Sequence, residues 1–291
     1  MDSEAAYRFC LEEAFSLEAY KALAEMEKDA ERKKILERLA EDEERHYEFW
    51  KGLVGGDCRP PLWKMWLVKI SYALLGPLFT IKLLEKGEEE AIRAYSLFAE
   101  KASGDLKQSL ADLIRDEETH ERELINILSD PRLKYLGSIA LGLADAVVEI
   151  TGVNAGFLGA TENATTVGLA GLIVGFSAAL SMAGASYLQS KHEKRASPIK
   201  SSAATGLAYI VSVLLLVAPF FAIASVIVAF AASIAISVLL TAFFTYYSST
   251  IEDRDFKKEF AESVGLLLGI ALAGYLLGAF LSEYFGVPKG T

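Results

Sequence analysis

Apolar residues recur at three- and four-residue intervals through 4–30 and 33–53, and again through 87–103 and 106–128, against a background of Glu, Lys and Ala. This periodicity predicts four amphipathic helices in two hairpins. Ser103, Gly104 and Asp105 supply a turn and an N-cap between the third and fourth. From residue 136 the pattern changes. Long, mostly apolar runs cover about 136–160, 164–188, 202–219, 223–247 and 263–285. A helix over 136–160 reaches roughly 37 Å at 1.5 Å per residue, enough to cross a hydrocarbon layer of about 30 Å with some tilt. The expected fold class is therefore all-α: a four-helix bundle over 1–134, and a five-helix transmembrane domain over 135–291. A further apolar stretch, 62–84, lies between the hairpins. If it crossed a membrane, the two hairpins would end on opposite sides. Lys64, Lys69 and Lys82 with Trp63 and Trp66 suit instead a helix lying in the headgroup interface, broken at Gly76 and Pro77, within a crossover segment 57–86; the alternative is a segment that covers the bundle as ordinary core.

Charge follows the same division. Residues 1–134 hold 29 of the 39 acidic and 21 of the 29 basic residues, and the chain's net charge is −10. An acidic soluble half argues against a nucleic-acid partner and suits cations. The first fifteen residues have neither a basic n-region nor an apolar h-region, so no signal peptide is expected. Cys10 and Cys58 form no CxxC pair, and the expectation is two reduced, partly buried thiols with no disulfide, zinc site or iron-sulfur centre. Basic residues cluster after the second run (Lys191, Lys194, Arg195, Lys200) and after the fourth (Arg254, Lys257, Lys258). The positive-inside rule then places these loops and the N-terminal half in the cytosol and the C-terminus on the opposite side. His192, among them, reads as a solvated residue.

The two hairpins repeat one another. Glu13 is followed seven residues later by Tyr20, then by Glu43 and His46; Glu88 is followed seven later by Tyr95, then by Glu117 and His120. The chain has only three histidines, and two of them occupy matching places. In each ExxH the Glu and His project from one helical face, so each hairpin offers two carboxylates and an imidazole to the bundle centre. Four carboxylates neutralise two divalent ions, and oxygen and imidazole ligands without thiolate suit iron or manganese. On these residues the stretch 4–128 resembles the erythrin or rubrerythrin-like branch of the ferritin-like superfamily. The resemblance implies a ferritin-like bundle with a di-iron site, manganese being the other candidate, ligated by Glu13, Glu43, His46, Glu88, Glu117 and His120. Tyr20 and Tyr95 read either as core tyrosines or as partners of the carboxylates.

The run 136–160 carries two charges, Asp145 and Glu149, one helical turn apart. Each costs roughly 2.5–3.5 kcal/mol at the bilayer centre if it faces lipid, so the pair is expected to face protein, a cavity or an ion. Small residues at four-residue spacing, Gly152 with Gly156, Gly171 with Gly175 and Gly274 with Gly278, suit close helix packing. At LGLADAVVEITGVNAG and AALSMAGASYLQSK the chain resembles the vacuolar iron transporter (CCC) family over about 135–286. That resemblance implies five spans, a homodimer, and ion contacts at Asp145 and Met182; Glu149 joins them by position. Two features depart from the family pattern. Ala185 and Ser186 stand where many relatives have Gly-Glu, and the loop 189–202 is too short for an acidic metal-binding insertion.

These readings imply a transporter that exports cytosolic ferrous iron, or manganese, by proton antiport. The bundle captures the ion, and Asp145, Glu149 and Met182 line the path. The alternative is a membrane-anchored di-iron oxidoreductase, a ferroxidase or peroxidase; whether the chain is an enzyme stays open at this point. A third reading makes the bundle a sensor that gates transport.

Overall fold

The computed structural model describes residues 3–99, 104–127, 133–193 and 197–286. Among them are ten α-helices and no strand. The chain divides into two compact units, Met1–Asp130 and Pro131–Thr291.

In the first unit α1 (Ser3–Met26) and α2 (Ala30–Val54) form an antiparallel hairpin, and α4 (Pro77–Ala99) and α5 (Asp105–Ile127) form another. The hairpins pair α1 with α4 and α2 with α5. The α1–α2 turn is fixed by short polar contacts. Asp29 caps α2 by accepting from the N–H groups of Glu31 and Arg32 at 3.1 and 3.0 Å. Glu27 accepts from the N–H groups of Lys28 and Asp29, from Arg32 Nε at 2.9 Å, and from the Tyr72 hydroxyl at 2.8 Å. Tyr72 thereby fastens α3 (Leu62–Leu75) to the turn. At its far end α2 stops at Gly55, whose left-handed φ of 76° lets its N–H close on the Lys51 carbonyl.

The crossover differs from the expected single broken helix. Gly76, at φ 90°, ends α3, and Pro77 opens α4 rather than a second interfacial piece. Leu78, Phe79, Ile81 and Leu84 are buried. Gly87 costs a helix interior only about 1 kcal/mol, so residues 77–86 become the first turns of the third bundle helix. α3 buries Val68 and packs Met65 and Tyr72 against the core, but turns other apolar residues outward: Leu62 is 81%, Trp66 69% and Leu74 77% exposed.

The cysteine expectation is overturned. Cys10 and Cys58 form a disulfide with Cα atoms 5.8 Å apart. The loop after α2 returns Cys58 to the side of α1, where both cysteines are buried with Phe9, Trp50 and Tyr95. A separation of 48 residues hides this proximity from the sequence.

In the second unit α6 (Leu133–Thr161), α7 (Ala164–Glu193), α8 (Pro198–Ala222), α9 (Val226–Ile251) and α10 (Phe256–Phe285) are long and apolar enough to cross a membrane, which points to a membrane protein. α6 touches all four others and is the hub of the unit. Glycines of α10 let it approach α6: a Cβ on Gly278 would stand 1.9 Å from the Gly156 carbonyl oxygen, and one on Gly274 2.6 Å from that of Gly152. Gly171 and Gly175 do the same for α7, where a Cβ would collide with Val217 and Val213 of α8.

Candidate metal centre

Three helices of the first unit bring four of the six expected ligands together. Glu13 on α1, Glu43 and His46 on α2, and Glu117 on α5 are buried, and one ligand atom from each lies within 4.8 Å of the others. The α2 pair is three residues apart and so shares one face. His46 Nδ1 lies 2.9 Å from Glu117, 3.7 Å from Glu13 and 3.8 Å from Glu43. On the outer side, His46 Nε2 is 3.8 Å from Asp116, which also pairs with Arg45 at 3.3 Å. Glu88 and His120 lie on α4 and α5, but their side chains fall outside the described residues.

The electrostatics suit a cation. Burial works against charging His46, but hydrogen bonds to Glu117 and Glu13 and their negative charge outweigh it and hold its pKa up to about 10. An imidazolium therefore sits among the carboxylates, and a metal ion taking the imidazole nitrogen displaces its proton. Among the described residues the donor set is three carboxylates and an imidazole with no thiolate, which fits a hard or borderline divalent ion.

Both tyrosines are buried. Tyr95, buried on α4, donates its hydroxyl to Glu13. Burial first, and then the Glu13 charge, push its pKa well above 10, so it stays a phenol donor. Tyr20 is buried among Leu17, Leu23, Leu36 and Leu39. A cavity of about 560 Å³ reaches the cluster, with Glu13, Tyr95 and Glu117 in its lining.

In the second unit Asp145 and Glu149 lie on α6, and Glu149 accepts a hydrogen bond from the Tyr209 hydroxyl of α8. Met182, on α7, packs against the buried cluster that contains Ala146, Val147 and Tyr209. His192 is exposed. The structure adds polar residues that the sequence reading passed over. Thr151 and Ser237 share a hydrogen bond at 2.9 Å, the Asn154 amide donates to Ser233 at 3.4 Å, and Ser233 donates to the Leu216 carbonyl at 2.8 Å. Ser233 and Ser237 are four apart, and Thr241, Thr245 and Ser249 continue the same spacing, which marks one polar edge on α9. Tyr209 carried no such signal, because one tyrosine in an apolar run reads as packing.

No family model, no curated protein and no solved structure matches this chain.

Proposed function

We propose that the chain is a membrane transporter that takes up ferrous iron, or manganese, at the buried Glu/His cluster and exports it along a path lined by Asp145, Glu149 and Met182, in exchange for protons. In this reading the first unit is a ferritin-like di-metal bundle whose full ligand set is Glu13, Glu43, His46, Glu88, Glu117 and His120. The second unit is a transporter domain similar to the vacuolar iron transporter family and works as a homodimer. The observation that carries the reading is the coincidence, in one chain, of four buried metal-competent side chains with five apolar helices whose first bears a carboxylate held by a neighbouring helix. An anchor has no use for Asp145 and Glu149 in so apolar a helix. Carboxylates bind a proton or a metal ion but not both readily, which makes proton exchange the natural coupling.

Purified chain in proteoliposomes should move ferrous or manganous ion down an opposing pH gradient. Asp145→Asn combined with Glu149→Gln should abolish that flux while the chain still binds metal in its first unit. Undiminished flux in the double variant would rule out the path.

A second reading, a membrane-anchored oxidoreductase, has one observation in its favour: the cavity leading to Glu13, Tyr95 and Glu117 gives a small molecule access to the cluster. Oxygen or peroxide consumption on adding ferrous ion, lost in Glu43→Ala, would distinguish it.

A further inference from the structure

The cavity beside the Glu/His cluster has a chemistry that the transport reading does not use. Its volume, about 560 Å³, falls in the range of about 300–1,000 Å³ typical of small-molecule sites. Among the described residues its walls are mostly apolar, with Leu67 and Val68 of α3 and Leu83 and Leu84 of α4, and Ser16 and Thr80 also line it. Its mouth carries Arg8, Glu12 and Lys64, and Lys64 sits over the Phe15 ring, 5.3 Å from its centre. Its inner end is acidic: Glu13, Glu117 and the Tyr95 hydroxyl that donates to Glu13. Trp63, 60% exposed, stands at the rim on the helix that turns its apolar face outward.

This arrangement selects among amphiphiles. A ligand entering head first meets carboxylate acceptors, so an anionic head is repelled and a neutral head bearing hydroxyl donors is matched. A fatty acid entering tail first would lay alkyl carbon against buried carboxylates, which wastes their hydrogen-bonding capacity. Phe15 and Trp63 offer aromatic surface to a flat ring, and the apolar walls accept an attached chain.

From this geometry we infer that the cavity is a binding site for a lipid-soluble hydroquinone, its ring hydroxyls directed at Glu13 and Glu117 and its tail leaving between α3 and α4. The inference deepens the oxidoreductase reading by naming its reductant, and its binding step is independent of the transport path. With hydrogen peroxide as oxidant the balance closes. The two hydroquinone O–H bonds and the peroxide O–O bond break, and two electrons and two protons pass to the peroxide oxygens, giving one quinone and two waters.

All three tryptophans of the chain, Trp50, Trp63 and Trp66, belong to the first unit, so fluorescence reports on it directly. Full-length chain in non-ionic detergent, metal-free and again after loading with manganous ion, is titrated with a decyl-substituted benzohydroquinone. Saturable quenching that decanoic acid does not compete is expected in both states. Ala94→Leu, which extends a lining side chain into the space, should weaken binding about tenfold. A second measurement covers a misfolded variant: an azide-bearing hydroquinone should label the unsubstituted chain on α1, α3 or α4. Non-saturable quenching, equal competition by decanoic acid, or labelling confined to 131–291 would overturn the site. Failure of the chain to take up manganese would instead overturn the metal-centre reading and leave the metal-free titration to judge this one.

Discussion

Glu27 and Tyr95 show how single side chains set the properties of the first unit. Burial pushes the Glu27 carboxyl up, but the Arg32 guanidinium, the Asp29 N–H and the Tyr72 hydroxyl outweigh it and hold its pKa down to about 2 from an ordinary 4.5. A depressed folded pKa contributes stability that is complete above about pH 4.5 and is lost as pH falls towards 2, on the order of 3 kcal/mol in all. Acid unfolding of the chain followed by circular dichroism should therefore show a limb in this window. Glu27→Gln should flatten it and lower stability near neutral pH. Tyr95→Phe removes the donor to Glu13 while keeping the ring among Phe9 and Trp50. Loss of such an outer partner should weaken metal affinity by about 10–100-fold with little change in the fold, measured by competition against a chelator. The convergence of Glu13, Glu43, His46 and Glu117 was legible because a repeat fixed their spacing. The role of Tyr95 stayed open because a buried tyrosine looks the same in sequence whether or not its hydroxyl meets a carboxylate. Cys10 and Cys58 were misread because nothing local tells that a loop 48 residues on comes back beside α1.

At the level of elements, periodicity was legible and breakers were less so. The amphipathic pattern located α1, α2 and α5, and apolar runs located α6 to α10, although α10 begins at Phe256, seven residues before its apolar run, because its first turns are polar. The start of α4 was missed because Gly76 and Pro77 were read as an interruption inside one helix. In fact the glycine ends α3 and the proline begins α4. Glycine pairs on α6 and α10 were expected to serve packing, and the contact is specific enough to test. Gly278→Ala places a Cβ 1.9 Å from the backbone oxygen of Gly156, which has no flexible end to move aside. Separating the two helices should cost about 1–3 kcal/mol or more, seen as a lower melting temperature in detergent. Gly265→Ala, on the same helix with open space around it, should leave that temperature nearly unchanged.

Over the whole molecule the division of labour is chemical. Charge and imidazole are concentrated before residue 131, and long apolar helices follow it. The proposed transport cycle then separates into two measurable halves. Glu117→Ala should reduce equilibrium metal binding by the full-length chain, whereas Asp145→Asn should leave that binding intact and lower flux in proteoliposomes. Variants that impaired both properties together would contradict the separation. The bundle itself raises a further point through its covalent clasp. Linking positions 48 residues apart restricts the unfolded chain by about 4 kcal/mol in the chain-entropy picture. Many small metalloproteins keep their shape only while the ion stays bound, and so grip it as tightly as they fold. Here the scaffold has its own fastening, one helical turn from Glu13. On the proposed transport reading, such a fastening would let the cup be emptied without collapsing, as a carrier that gives up its load on every round requires.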